Sequence, residues 1–149
     1  MSLKNRIEDD FKNAMKSRDE IRLSCLRMLK AAIKNKEIEL IQKLEDDGIF
    51  KVIVSMVKQR RESVEQFKLG NRADLVAREE KEITVLEAYL PSQLPVAEVE
   101  ALVDAVIRET GAKSPKEMGQ VMKAIGPKIA GRADGKTVSE IVKKKLTAL

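Results

Sequence analysis

Pro91 and Pro95 bracket Ser92, Gln93 and Leu94, and they break what is otherwise a nearly continuous helical periodicity. Proline has no amide proton to give a helix and pushes the residue before it out of the helical region, so neither flanking helix can run through this segment. The chain therefore reads as an N-terminal helical domain over residues 1–90, a Pro-containing hinge at 91–95 and a C-terminal three-helix domain over 96–149.

In the first block Ser2 reads as an N-cap, followed by Leu3, Ile7, Phe11, Ala14 and Met15 on one helical face as far as about Ser17. Asp19 caps a second helix whose apolar stripe is Ile21, Cys25, Met28, Leu29, Ala32 and Ile33, with Arg27, Lys30 and Lys34 opposite as a solvated face. Asp46, Asp47 and Gly48 interrupt the pattern. The β-branched run Phe50 to Val57 is locally strand-like, but Ile53, Val57, Arg60, Val64 and Phe67 recur every three or four residues over too great a length for a strand. Gly70 and Asn71 stop that helix. A fourth, from about Asp74 to Leu90, buries Leu75, Val76, Ile83, Leu86 and Tyr89, while Glu79, Glu80, Glu82 and Glu87 read as solvated carboxylates.

Beyond the prolines, Val99, Leu102, Val103, Val106 and Ile107 form a stripe ended by Gly111. Ser114 with Glu117, and Thr137 with Glu140, match the spacing of capping boxes, and Pro115 takes the first helical position. The helices they start bury Met118, Val121, Met122 and Ile125, then Val138, Ile141, Val142 and Leu146. Residues 126–136 between them read as an irregular basic loop. The expectation is an all-α protein of about four helices plus three. With aromatics at only 3% of the 149 residues, its cores must be aliphatic.

Charge is unevenly spread. From Gly111 to Leu149 nine basic side chains face three acidic ones, +6, whereas the whole chain is +5. Lysines and arginines concentrated in this way favour a polyanionic partner, because they displace the counterions condensed on a phosphate backbone. The candidate phosphate contacts are Lys113, Lys116, Lys123, Lys128, Arg132, Lys136, Lys143 and Lys144. No aromatic residue lies beyond Tyr89, so such a surface reads backbone and shape rather than stacking bases on rings.

Several classes of chemistry lack their residues. There is no histidine, which removes the usual general base and the commonest metal ligand, and a single cysteine cannot build a zinc site. Cys25 sits on an apolar stripe without an activating base and reads as an inert buried thiol. Gly131-Arg-Ala-Asp-Gly-Lys-Thr137 approaches a phosphate-binding loop, but Ala130 occupies the place of its first glycine and no strand precedes it. No catalytic residue, cofactor or metal is expected, and no membrane contact. The charged residues of 1–10 do not form a signal sequence, and one cysteine suits a reducing compartment, so the expected location is cytoplasmic.

Several segments together resemble a known family. Tyr89-Leu-Pro-Ser-Gln-Leu-Pro95, Gly111-Ala112, Met118-Gly-Gln-Val-Met122 and Gly131-Arg-Ala-Asp-Gly-Lys136 look like the signature of the GatB/YqeY family. Arg22-Leu-Ser-Cys-Leu-Arg-Met-Leu29, Ala32-Ile-Lys-Asn35 and Ser63-Val-Glu-Gln-Phe67 fit its free-standing YqeY-like members, so the resemblance covers essentially the whole chain. It implies two all-helical domains, the second similar to the tail of the B subunit of the tRNA-dependent amidotransferase, a tail that touches tRNA. The glutaminase and phosphorylating sites of that enzyme lie in parts this chain does not match.

The resemblance and the charge together predict a non-catalytic accessory module that holds tRNA, or an aminoacyl-tRNA-related enzyme with its tRNA, through the C-terminal bundle. The alternatives are a protein–protein adaptor, or a carbon–nitrogen ligase using glutamine as amido donor by family association.

Overall fold

The computed structural model describes residues 2–149, and among them every regular element is helical. Seven α-helices are present: α1 Leu3–Ser17, α2 Glu20–Leu40, α3 Asp46–Leu69, α4 Ala73–Glu87, α5 Val96–Thr110, α6 Met118–Ile129 and α7 Gly135–Thr147. The fold is all-α. The chain separates into two compact units, Met1–Leu90 and Pro91–Leu149. None of the helices is long and apolar enough to cross a membrane.

In the first unit the helix ends follow from local chemistry. Ser2 Oγ accepts the Asn5 amide at 3.2 Å and Asp19 Oδ1 accepts the Arg22 amide at 3.2 Å, each filling one of the unpaired donors of a first turn. Arg18, Ile41 and Asn71 close helices in the left-handed conformation, with φ of 57°, 53° and 57°. Asn71, not Gly70, is the left-handed residue after α3. Polar contacts then tie the helix termini together. The Leu3 amide donates to Asp46 Oδ1 at 3.1 Å, and Glu37 Oε2 accepts both Lys4 Nζ at 2.6 Å and the Leu44 amide at 2.8 Å.

The apolar faces meet in an aliphatic core that includes Ile7, Leu26, Leu29, Ile49, Ile53 and Leu86, all fully buried. Each such side chain contributes roughly 1.5–3 kcal/mol by leaving water. Two details depart from the sequence-based expectation. On α2 the buried stripe runs Cys25, Leu26, Leu29 and Ile33, and Met28 is half exposed, because the face that meets the core is rotated away from the predicted one. Asp46-Asp47-Gly48 does not interrupt a helix but begins α3; the break falls at Ile41–Glu45.

The second unit is a small bundle around Val103, Val106, Val121, Ile125, Val138, Val142 and Leu146. Gly111 ends α5 at φ 70°, a dihedral that suits a residue without Cβ.

Candidate nucleic-acid interface

The basic segments of the second unit are set by two different caps. Before α6 the expected capping box forms on a 3-10 turn, Pro115–Glu117, that leads into the helix: the Ser114 side chain faces that turn and Glu117 Oε2 accepts the Ser114 amide at 3.3 Å and the Lys113 amide. At α7 it does not. Asp134 is the N-cap and accepts the Lys136 amide at 3.4 Å, so Gly135 and Lys136 are already helical and Thr137 lies inside the first turn. Aspartate competes at least as well as threonine for a cap, and here it comes three residues earlier.

The irregular loop expected over residues 126–136 is also shorter. α6 continues through Gly126 and Pro127 to Ile129, leaving only Ala130–Asp134 between helices. Pro127 removes one hydrogen bond near the end of α6, and burial of Ile129 in the core offsets that loss.

Lys113, Lys116, Lys123, Lys136, Lys143 and Lys144 are all exposed. Lys136 and Lys143 stand seven residues apart on α7, two turns along one face. The remaining two candidates are engaged. Lys128 Nζ lies 3.4 Å from Glu109 Oε2, and Arg132 is half-buried, with its Nε donating to the Ser92 carbonyl at 3.1 Å. Lys145, from the same basic stretch, pairs with Asp104 at 3.0 Å. The folded unit includes α5, whose Glu98, Glu100, Asp104 and Glu109 outweigh Arg108. Pro91–Leu149 thus holds ten basic against seven acidic side chains, +3 rather than +6, with the surplus on α6, α7 and the turn before α6.

The segment between the prolines contributes what the sequence did not disclose. Gln93 Nε2 donates to the Gly131 carbonyl at 2.9 Å, the Leu94 amide donates to the Arg132 carbonyl at 2.8 Å, and Arg132 returns a bond to Ser92. Ser92–Leu94 is therefore a strap laid along the loop between α6 and α7. Gly131, at φ 72°, makes the turn that presents its carbonyl to Gln93. The only hint in the sequence was that both segments belong to the GatB/YqeY-like signature.

In the first unit the expected solvated carboxylates are largely paired. Glu82 is 4% exposed and bonds Arg60, which also reaches Glu79 at 3.2 Å, and Glu87 bonds Arg61. Arg60 Nε is buried without an acceptor. Removal from water holds the Glu82 carboxyl above the usual range, and Arg60 opposes the shift. The Cys25 thiol donates to the Glu82 carbonyl at 3.6 Å, and burial pushes it up to about 11. On the α2 face expected to be solvated, Arg27 and Lys34 are exposed, but Lys30 packs 4.2 Å from the Phe11 ring centre and pairs with Glu8 at 2.7 Å. Among the described residues no group of three or more His, Cys, Asp or Glu is placed to hold a metal ion.

Comparison with known proteins adds the family. A family model described as Yqey-like protein matches residues 4–146. The curated protein "Altered inheritance of mitochondria protein 41, mitochondrial" of Lachancea thermotolerans is 38% identical over 113 residues, 73% of this chain and 60% of that protein. Its namesakes in Saccharomyces cerevisiae (strain YJM789) and Eremothecium gossypii are 34% and 37% identical, over 72% and 69% of this chain and 62% and 58% of their own lengths. The chain thus spans about 60% of the length of the curated relatives it matches. These names overturn the expected cytoplasmic location, since they assign the relatives to the mitochondrion. A single buried thiol and a mixed-charge surface suit any reducing aqueous compartment, so composition never had the power to separate the two.

Proposed function

The chain belongs to the family of Yqey-like proteins, and from that premise we propose that it is a tRNA-binding accessory module whose C-terminal unit grips the RNA backbone. The observation that supports this reading is the set of exposed lysines, Lys113, Lys116, Lys123, Lys136, Lys143 and Lys144, which have no carboxylate within ion-pair distance among the described residues. Such cations gain most from replacing the counterions of a phosphate backbone. The module brings no reaction chemistry of its own: Cys25, its one thiol, is buried and protonated, and a general base of the imidazole type is absent from the sequence.

The test is a titration of tRNA at two salt concentrations with the parent and with Lys116, Lys123, Lys136 and Lys143 changed to Ala. Loss of four phosphate contacts flattens the slope of log affinity against log salt by about three. A variant that binds tRNA with the parent's slope defeats the proposal.

A second reading, a protein–protein adaptor, draws on a different feature. Met28, Ile38, Leu40 and Ile41 all lie exposed along α2 and its C-cap, Ile41 at 93%. Apolar side chains collected on one helix suit a partner's groove, and association through them would be insensitive to salt.

A further inference from the structure

We infer that the strap and the loop between α6 and α7 form one composite subsite that selects RNA over DNA, with Gln93 accepting a hydrogen bond from a ribose 2′-hydroxyl beside a phosphate held by Arg132. This rests on the nucleic-acid reading above and specifies which sugar the surface takes.

The two segments exchange side chains. Gln93 Nε2 is spent on the Gly131 carbonyl and Arg132 Nε on the Ser92 carbonyl, so each side chain is held by the other segment's backbone. The Leu94 amide bond to the Arg132 carbonyl fixes the register between them. An amide that donates from nitrogen to a carbonyl has its orientation decided, since the oxygen cannot take that place. Gln93 Oε1 is then a positioned acceptor, and among the described residues no donor occupies it.

Arg132 is fixed in the same way. With Nε tied to Ser92, the terminal nitrogens of its planar guanidinium keep their donors, and none of them bonds another described residue. A guanidinium fork with two free terminal nitrogens matches a phosphate. The two interlocked segments therefore offer an anion-binding fork, on the half-buried Arg132, and a neutral acceptor, on the exposed Gln93. An anion alone has no use for an acceptor. A nucleotide of RNA presents both complements, because its 2′-hydroxyl is a donor next to the phosphate of the same strand, whereas DNA lacks that donor. Gln93 is itself exposed and Ser92 is too, so the edge is open to a strand.

The test compares one tRNA sequence, made as RNA and as its all-deoxy analogue, for the parent, Gln93→Ala and Arg132→Ala. Gln93→Ala is expected to lower RNA affinity about three- to tenfold, the worth of one hydrogen bond, while leaving affinity for the deoxy strand unchanged. Arg132→Ala is expected to weaken both polymers alike and to reduce the salt dependence. Circular dichroism of each variant establishes that the helices persist. If Gln93→Ala lowers both affinities equally, Gln93 is a loop-positioning residue only and the assignment is overturned. An unchanged ratio of RNA to DNA affinity overturns it as well, with tRNA binding by the parent left standing. A parent that binds neither polymer removes the underlying reading, and this one with it.

Discussion

Arg60 of α3 and Glu82 of α4 form an ion pair inside the apolar core of the first unit, and the same glutamate's backbone carbonyl takes the Cys25 thiol. Two charges taken out of water at a site that leaves Arg60 Nε unpaired recover little of their desolvation penalty. The pair therefore fixes how α3 and α4 register more than it stabilises them.

Removing one partner should accordingly cost more than removing both. Arg60→Met is expected to lower the stability of the unit by about 3–5 kcal/mol, and the double change Arg60→Met with Glu82→Leu should recover most of that loss, as read by urea unfolding. The pH dependence follows from the raised Glu82 carboxyl. The folded state holds that proton more tightly than the unfolded chain, so the contribution is complete below the ordinary carboxylate value of 4.5 and is lost as pH rises through the folded value. Arg60→Met should thus be least damaging near pH 4 and most damaging near pH 8, on the order of the carboxylate's titration range. A penalty independent of pH would show that Glu82 is not the group responsible.

Cys25 offers a direct probe of the same core. With its thiol pushed up to about 11 and fully buried, the native chain should be inert to a thiol reagent at about pH 8 and should release one equivalent once unfolded in urea. Rapid labelling of the folded chain would contradict a core closed around α2.

Two glycines with open space around them should respond in opposite directions. Gly119 lies within α6 with nothing near the position a methyl would take, so Gly119→Ala should stabilise the second unit by about 0.5–1 kcal/mol. Gly111 is equally uncrowded but sits at φ 70°, and Gly111→Ala should destabilise by about 1–2 kcal/mol. Thermal unfolding of the two variants isolates the dihedral cost, since neither site is crowded.

Ile41 combines a left-handed backbone with a β-branched, exposed side chain. Ile41→Gly should raise stability by about 1 kcal/mol in a melting experiment, because the strain goes and little burial is lost. If the same change abolishes association with a protein partner, the adaptor reading gains its anchor.

Lys128 and Glu109 give a prediction for binding. Glu109→Gln frees the lysine and removes a nearby negative charge, so tRNA affinity at low salt should rise severalfold and the salt slope should steepen by about one. Unchanged affinity and salt slope would place Glu109 and Lys128 away from the RNA path.

The helical stripes, the Ser2 and Asp19 caps and the Gly111 stop were legible because each depends on residues within one or two turns. Glu82 was not. The four residues before it are all charged, and only the approach of Arg60 across the α3–α4 contact makes its burial tolerable. Met28, expected on the stripe, is half exposed and Leu26 is buried, because the phase of a stripe on a 21-residue helix is set by the helices it meets. The basic side chains were countable from the sequence, but their availability was not: Lys128 and Lys145 are paired with carboxylates of α5, and Arg132 has its Nε, though not its terminal nitrogens, tied to the strap. Gln93 gave no signal, since a glutamine between prolines looks like a spacer until its partner 38 residues away is known.

That separation also bears on how the second unit assembles. Local turns of α5 and α6 can form as soon as their residues exist, but the strap has nothing to hold until Gly131 and Arg132 have been made. Closing so long an intervening segment is slow compared with winding a helix. Ser92–Leu94 thus stays unlocked until synthesis has passed Arg132, and its protection from hydrogen exchange reports that the turn between α6 and α7 has formed.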